Sequence, residues 1–236
     1  MSKLWSLTRR ELGAYFLSPS AYIVLALFLL ISGYFFSTYV IAVRQADMRP
    51  VLSEVAVLFL FLLPALTSRL WAEERKQGTD ELLMTAPLST AQIVVAKYLA
   101  ALLLFSAYLA VTLLYPVMLA VWGPLDWAAV LTGYLGLLLF GGAALAVGLY
   151  ASSLTDSQML AAISAFAMLL GFWISAWAGG ALPPGWAPVL TYLSFTTHYQ
   201  DFSKGLLDTS HGLYFLTLIA GFLFLTARRL ESTRTR

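Results

Sequence analysis

Carboxylates and imidazoles are the side chains with the most chemistry to offer in this chain, and they gather in two places. The first is the charged island Trp71-Ala72-Glu73-Glu74-Arg75-Lys76-Gln77-Gly78-Thr79-Asp80-Glu81-Leu82-Leu83-Met84-Thr85-Ala86-Pro87, and the second surrounds His198, Asp201 and His211. Paired carboxylates do acid–base work when a sheltered pocket drives their pKa values apart. Those of the island stand beside Arg75 and Lys76 and face water, which suits a solvated or docking loop better than a catalytic one. His198 and His211 are thirteen positions apart and lack the i, i+3 or i, i+4 spacing of a helical metal pair. What they offer instead is a buried hydrogen bond at His198, or, with Asp201, the side chains of a membrane-embedded enzyme acting on lipid or peptide. There is no cysteine, hence no thiolate nucleophile, thiolate metal site or disulfide. No Gly-x-x-x-x-Gly-Lys-Ser/Thr loop is present to cradle a nucleotide, nor a Gly-x-Ser-x-Gly elbow, nor a His-Glu-x-x-His helix.

The elements that must position these residues are set by the solvent. The chain is 60% hydrophobic and only 11% charged, and its mean hydropathy is +0.81. Apolar runs of about 20 residues recur, the length that crosses roughly 30 Å of hydrocarbon. Six spans follow, near Ser20 to Val43, Val51 to Leu70, Ile93 to Val121, Trp127 to Ala151, Gln158 to Leu182 and Gly212 to Ala227. Lipid offers bare backbone no hydrogen-bond partner, and no barrel-type alternation is seen, so each span is expected to be a helix. The expected fold is an all-α integral membrane protein, one domain over residues 1–236. With the N-terminus inside, the inner segments hold Lys3, Arg9, Arg10, Arg69, Arg75, Lys76, Lys97, Arg228, Arg229, Arg234 and Arg236, and the outer ones Arg44, Arg49 and Lys204. That asymmetry places both termini and the island in the cytoplasm. The basic residues form no stripe for a nucleic acid. The first span has no cleavage site after it and is too long for a signal-peptide core.

Local signals refine this frame. Leu4, Trp5, Leu7, Leu12, Tyr15 and Phe16 interleave with Lys3, Arg9, Arg10 and Glu11, which predicts an amphipathic interfacial helix over residues 1–19, either a simple anchor or a transmitter of motion. Ser89-Thr90-Ala91-Gln92 and Thr155-Asp156-Ser157-Gln158 both have capping-box form. Pro64 and Pro116 predict bends in the second and third spans. Gly133, Gly136, Gly141, Gly142 and Gly148 in the fourth span, and Ala161, Ala165, Gly171, Ser175 and Gly179 in the fifth, read as packing seams, within one subunit or between two. In the island, Gly78 is suited to end the helix that carries Glu73, Glu74, Arg75 and Lys76, and Thr79 to cap a short helix from Asp80 to Thr85 that Pro87 closes. Beyond the fifth span, Pro183-Pro184-Gly185 breaks the helix, and residues 183–211 predict one or two short helices dipping into the outer leaflet, as a lid or a gate.

The order of these features resembles the ABC-2 (type V) transporter permeases, with Glu73 to Pro87 as the most specific match. Within that superfamily, Glu11 to Tyr22 and Ser194 to Asp208 are similar to the gliding-motility-type permease subunits. The resemblance implies a transmembrane subunit in the bacterial inner membrane that pairs with a second permease copy or a homologous permease. It also implies separate ABC ATPase subunits, which hold ATP and Mg, so that this chain binds no cofactor itself; an extracytoplasmic accessory protein is a further partner it allows. The loop over residues 71–91 then becomes a coupling helix, with Glu73, Glu74, Arg75, Lys76, Gly78, Thr79, Glu81, Leu82, Leu83, Thr85 and Pro87 at the ATPase contact. Ser152 to Ser157 is expected to be a second, minor contact. A central path lined by the first, second and fifth spans is implied, with Tyr34, Thr38, Tyr39, Ser164, Met168 and Trp173 as its candidates here. Besides the exporter and the membrane-embedded enzyme, a non-transporting structural or mechanotransmitting anchor stays open, and the cargo is not named by any motif.

Overall fold

The computed structural model describes residues 3–43, 45–78, 88–181 and 185–234. Every described element is a helix: α1 (Lys3–Leu17), α2 (Pro19–Val43), α3 (Arg49–Thr67), α4 (Arg69–Gln77), α5 (Thr90–Thr112), α6 (Leu114–Ala120), α7 (Trp127–Ser153), α8 (Gln158–Ala181), α9 (Ala187–Leu193), α10 (Phe195–Ser203) and α11 (Thr209–Arg234). Among the described residues six rods are long and apolar enough to cross a membrane, Ala21–Val43, Arg49–Lys76, Thr90–Ala120, Trp127–Ser153, Gln158–Gly179 and Thr209–Ser232. The chain is a multi-pass integral membrane protein, as its hydropathy requires. Six crossings put both termini at one end of the bundle, the terminal face; the other end is the distal face.

α7 is the central post and packs against α3, α4, α5, α8, α10 and α11. Apolar side chains gain nothing by leaving lipid for one another, so this association depends on close contact. A Cβ on Gly148 would collide with Thr67 of α3, and one on Gly141 with Phe105 of α5. The glycine seam of the fourth span is therefore an intrachain one. Phe140, one residue before Gly141, is buried where five helices meet: its ring lies 5.9 Å from Phe59 of α3, 6.1 Å from Trp173 of α8, 5.2 Å from Phe195 of α10 and 6.3 Å from Phe215 of α11. The fifth-span seam is used only in part. Ala161, Ala165 and Ser175 are buried, but Gly171 has no neighbour within 4 Å of its Cβ position.

Both proline-bearing rods are broken. α5 gives way to α6 at Leu113, three residues before the buried Pro116, because proline at 116 cannot donate to the carbonyl of Thr112 and crowds it. In the second rod the break falls at Ser68, four residues beyond Pro64, where the Ser68 hydroxyl donates to Ala65 O at 3.0 Å and that of Thr67 to Leu63 O at 2.8 Å. Such back-bonding bends helices.

The capping box at Ser89 forms in both directions: Gln92 N donates to Ser89 Oγ at 3.2 Å and Ser89 N to Gln92 Oε1 at 3.1 Å. The one expected at Thr155 does not. α8 begins at Gln158, so Thr155 lies too early to cap it and instead accepts from Ser157 N at 3.2 Å in a turn. At the distal face, Asp126 accepts from Ala129 N and caps α7, and its other oxygen takes Arg49 Nη2 at 3.1 Å, which joins the starts of α3 and α7.

Candidate functional site

The charged island grows out of α4, and α4 is fastened on every side. Its own N-cap, Ser68, makes no side-chain cap; the bond comes from α7 instead. Ser152 Oγ accepts from Trp71 N at 3.0 Å and Ala72 N at 3.2 Å and donates to Ser68 O at 3.1 Å. One fully buried hydroxyl thus satisfies backbone groups on both sides of the α3–α4 break. Further along, Arg75 Nη1 reaches Asp156 Oδ1 at 3.3 Å, in the turn before α8, and Arg69 Nη1 donates to Ser18 Oγ at 3.1 Å, in the elbow between α1 and α2. Gly78 ends α4 at φ 67°, the left-handed position that favours glycine, and its N–H returns to Arg75 O at 3.1 Å.

At the centre of this end lies Lys97 of α5, only 1% exposed. Its Nζ donates to Glu74 Oε1 at 2.7 Å and Glu11 Oε2 at 3.0 Å, and sits 5.1 Å from the centre of the buried Trp71 ring. Arg10 Nη2 completes the row, 3.1 Å from Glu11 Oε1. The charges alternate Arg10, Glu11, Lys97, Glu74, so the buried ammonium has two carboxylates and Glu11 has two cations. An unpaired ammonium there would cost several kcal/mol. The consequence is mechanical: α1 packs on α5, with Leu7, Thr8 and Glu11 buried, Glu11 bonds Lys97 directly, and the same lysine ties that pair to α4. Nearby, burial and then the charge of Glu11 hold the Tyr15 hydroxyl far above its ordinary pKa, so it stays protonated.

The predicted coupling residues divide around this clamp. Glu74 is drawn inward to Lys97, Glu73 is 3.6 Å from Arg69 one turn back, Arg75 turns to Asp156, and Lys76 is exposed. Thr79, Glu81, Leu82, Leu83, Thr85 and Pro87 lie outside the described residues. The expected loop Ser152 to Ser157 needs correction at its start: Ser152 and Ser153 are buried in the last turn of α7, and the connection begins at Leu154. Between α3, α4 and the start of α8 opens a cavity of about 790 Å³, lined by Ala65, Ser68, Lys76, Asp156, Ser157 and Met159 among others.

Of the path candidates, Tyr34 and Thr38 are on an exposed face of α2, where the Thr38 hydroxyl donates to Tyr34 O at 2.8 Å, and Tyr39 is half-buried. Ser164 donates to Ala161 O at 3.1 Å. Trp173 lies edge-on to Phe140, and Met168 is partly buried against the hydrophobic core.

At the distal face the predicted short helices are α9 and α10, and α10 is sunk into the bundle by Phe195, His198, Tyr199 and Phe202. The segment is packed against the bundle through α10, and α9 buries no residue. His198 Nδ1 lies 2.6 Å from His211 Nδ1, His198 Nε2 lies 2.7 Å from Tyr192 O, and His211 Nε2 lies 2.8 Å from Asp201 Oδ2. All four ring nitrogens are engaged, which leaves neither imidazole a lone pair for a substrate proton. Among the described residues no three His, Cys, Asp or Glu side chains are placed so that they could hold a metal ion together.

Lys97 and Ser152 are what sequence reasoning missed. Lys97 was visible as a charge five residues inside an apolar run, and a buried charge demands partners. Ser152 carried no such signal, because a serine at a helix end reads as local capping whichever neighbour it serves.

The sequence model of a family described as ABC-2 family transporter protein matches residues 45–231. No curated protein matches the chain.

Proposed function

The chain belongs to the ABC-2 transporter family, and from that membership we propose that it is the permease subunit of an ATP-driven exporter, of the gliding-motility type, whose ATPase is a separate protein. On this reading the terminal face is cytoplasmic, the membrane is the bacterial inner membrane, and two permeases, identical or homologous, form the working unit. The partner ATPases bind ATP and Mg, and this chain makes and breaks no bond.

Residues 79–87, with Glu73, Lys76 and Gly78 at their root, are the contact through which the ATPase acts. The observation that carries this assignment is the fastening of α4. A push on the loop is delivered at once to α1 and α5 through Lys97, to α7 through Ser152 and to the turn before α8 through Asp156. Interfaces packed this closely shift between discrete arrangements instead of deforming smoothly, so ATP-driven closure biases the bundle between two states. The cavity beside Lys76 is the inner mouth of the path in this scheme, and Tyr34, Thr38, Tyr39 and Ser164 line its course.

The test separates docking from folding. Leu82→Asp with Leu83→Asp alters the loop and leaves the clamp residues Glu11, Glu74 and Lys97 unsubstituted. Expected are normal insertion and thermal stability with loss of co-purification of the partner ABC ATPase. Undiminished co-purification and ATPase stimulation would sink the assignment.

A further inference from the structure

The distal histidine chain fixes a proton count. Tyr192 O only accepts, so His198 Nε2 must carry a hydrogen. The His198 Nδ1 to His211 Nδ1 contact of 2.6 Å needs one hydrogen, and the His211 Nε2 to Asp201 Oδ2 contact of 2.8 Å needs another. Three links therefore hold three hydrogens. Two neutral imidazoles and a carboxylate supply two. We propose that the His198–His211–Asp201 relay binds one proton beyond those of two neutral imidazoles, and that this proton latches the α9–α10 lid to α11, the last span.

The surroundings decide where it resides. His198 is 4% exposed, stacked 3.8 Å from the Tyr214 ring and edge-on to Tyr192, and burial lowers its affinity for a second proton. His211 faces the Asp201 carboxylate, so the extra charge sits there as an ion pair. Other charges do not displace it. Lys204 is 3.5 Å from the second Asp201 oxygen, Asp208 is exposed and accepts from Ser210 N at 2.8 Å, and on α3 and ahead of α7 Arg49 and Asp126 neutralise each other. Glu54 is the other ionisable group of α3, Tyr134 that of the distal half of α7, Tyr199 lies on α10, and α8 has none.

Either change in proton number breaks the chain. With one fewer, two lone pairs face each other across one link. With one more, which only His198 Nδ1 can take, two N–H groups meet within 2.6 Å. Among the described residues the lid is joined to the last span by this relay and by the Tyr214 hydroxyl, which donates to Leu193 O at 2.6 Å, so loss of the relay leaves one polar tie between them.

The protein has only two histidines, which makes the count directly readable. The full-length chain, labelled with ¹⁵N-histidine and held in lipid nanodiscs, is observed by NMR at pH 8, where a histidine of ordinary pKa near 6.5 is almost wholly neutral. One imidazolium and one neutral ring are expected. Two neutral rings would overturn the proposal. Asp201→Asn should convert the spectrum to two neutral rings and raise amide exchange over residues 187–203 about tenfold. In the unmodified chain, raising the pH until the imidazolium signal disappears should lower the protection factors of the same amides about tenfold, each measured against the intrinsic base-catalysed rate at that pH. Protection factors that stay constant through that titration would overturn the latch even if the proton is present.

Discussion

Tyr134 of α7 donates its hydroxyl to the main-chain carbonyl of Thr112 at 2.8 Å and also lies 3.1 Å from the Thr112 hydroxyl. That carbonyl is the one Pro116 leaves without its helical donor. In hydrocarbon an orphan carbonyl costs several kcal/mol, so the bend in the third span and the tyrosine on the fourth are one device. Tyr134→Phe should destabilise the protein by about 1–3 kcal/mol. In a Pro116→Ala background, where position 116 regains an N–H, the same change should cost much less. A double-mutant cycle by unfolding in mixed detergent checks this; additive losses would mean the two residues act independently.

Lys97→Met leaves Glu11 and Glu74 facing each other without their cation. Breaking a buried pair on one side costs about 3–5 kcal/mol, whereas replacing every member by neutral groups of similar size is often close to neutral. Thermal unfolding of Lys97→Met should therefore show a large loss, and the triple variant Glu11→Gln, Glu74→Gln, Lys97→Met should recover most of it. If the triple variant regains stability but not ATPase stimulation, the clamp serves transmission; if it regains both, the clamp serves folding alone.

Ser152→Ala removes a hydroxyl that serves three backbone groups at the α3–α4 break. Capping losses run at about 1 kcal/mol, and buried groups left unpaired add about 1–3 kcal/mol. Amide exchange should rise first at Trp71 and Ala72, with the interior of α7 unchanged. Uniform loss of protection across the bundle would show that Ser152 acts through packing instead.

The six rods, the bend near Pro116, the Ser89 cap and the Gly78 stop were legible because each follows from lipid or from local backbone chemistry. The partners of those elements were not. Nothing in the spacing from Glu11 to Lys97, or from Trp71 to Ser152, says that they meet, since helix order in a bundle is set by which faces pack closest. Thr155 misled for the related reason that a capping box and a serine/threonine turn share their residues, and the start of α8 at Gln158 decides between them. The two histidines were dismissed as a metal pair on spacing alone. They meet because α10 folds back on α11, a contact that spacing along one helix cannot express.

Acid should weaken the lid through His198. Burial holds the folded-state pKa of His198 below the unfolded value near 6.5. Between those two values the unfolded chain carries the extra proton and the folded chain does not, so stability rises with pH across that window and falls as pH drops through about 6.5 toward the lowered value. The slope cannot exceed one proton, about 1.4 kcal/mol per pH unit. Unfolding from pH 7.5 to 5 should show this acid limb, and His198→Gln, which keeps a donor for Tyr192 O but does not titrate, should flatten it. An acid limb of the same steepness in His198→Gln would assign the effect to another group.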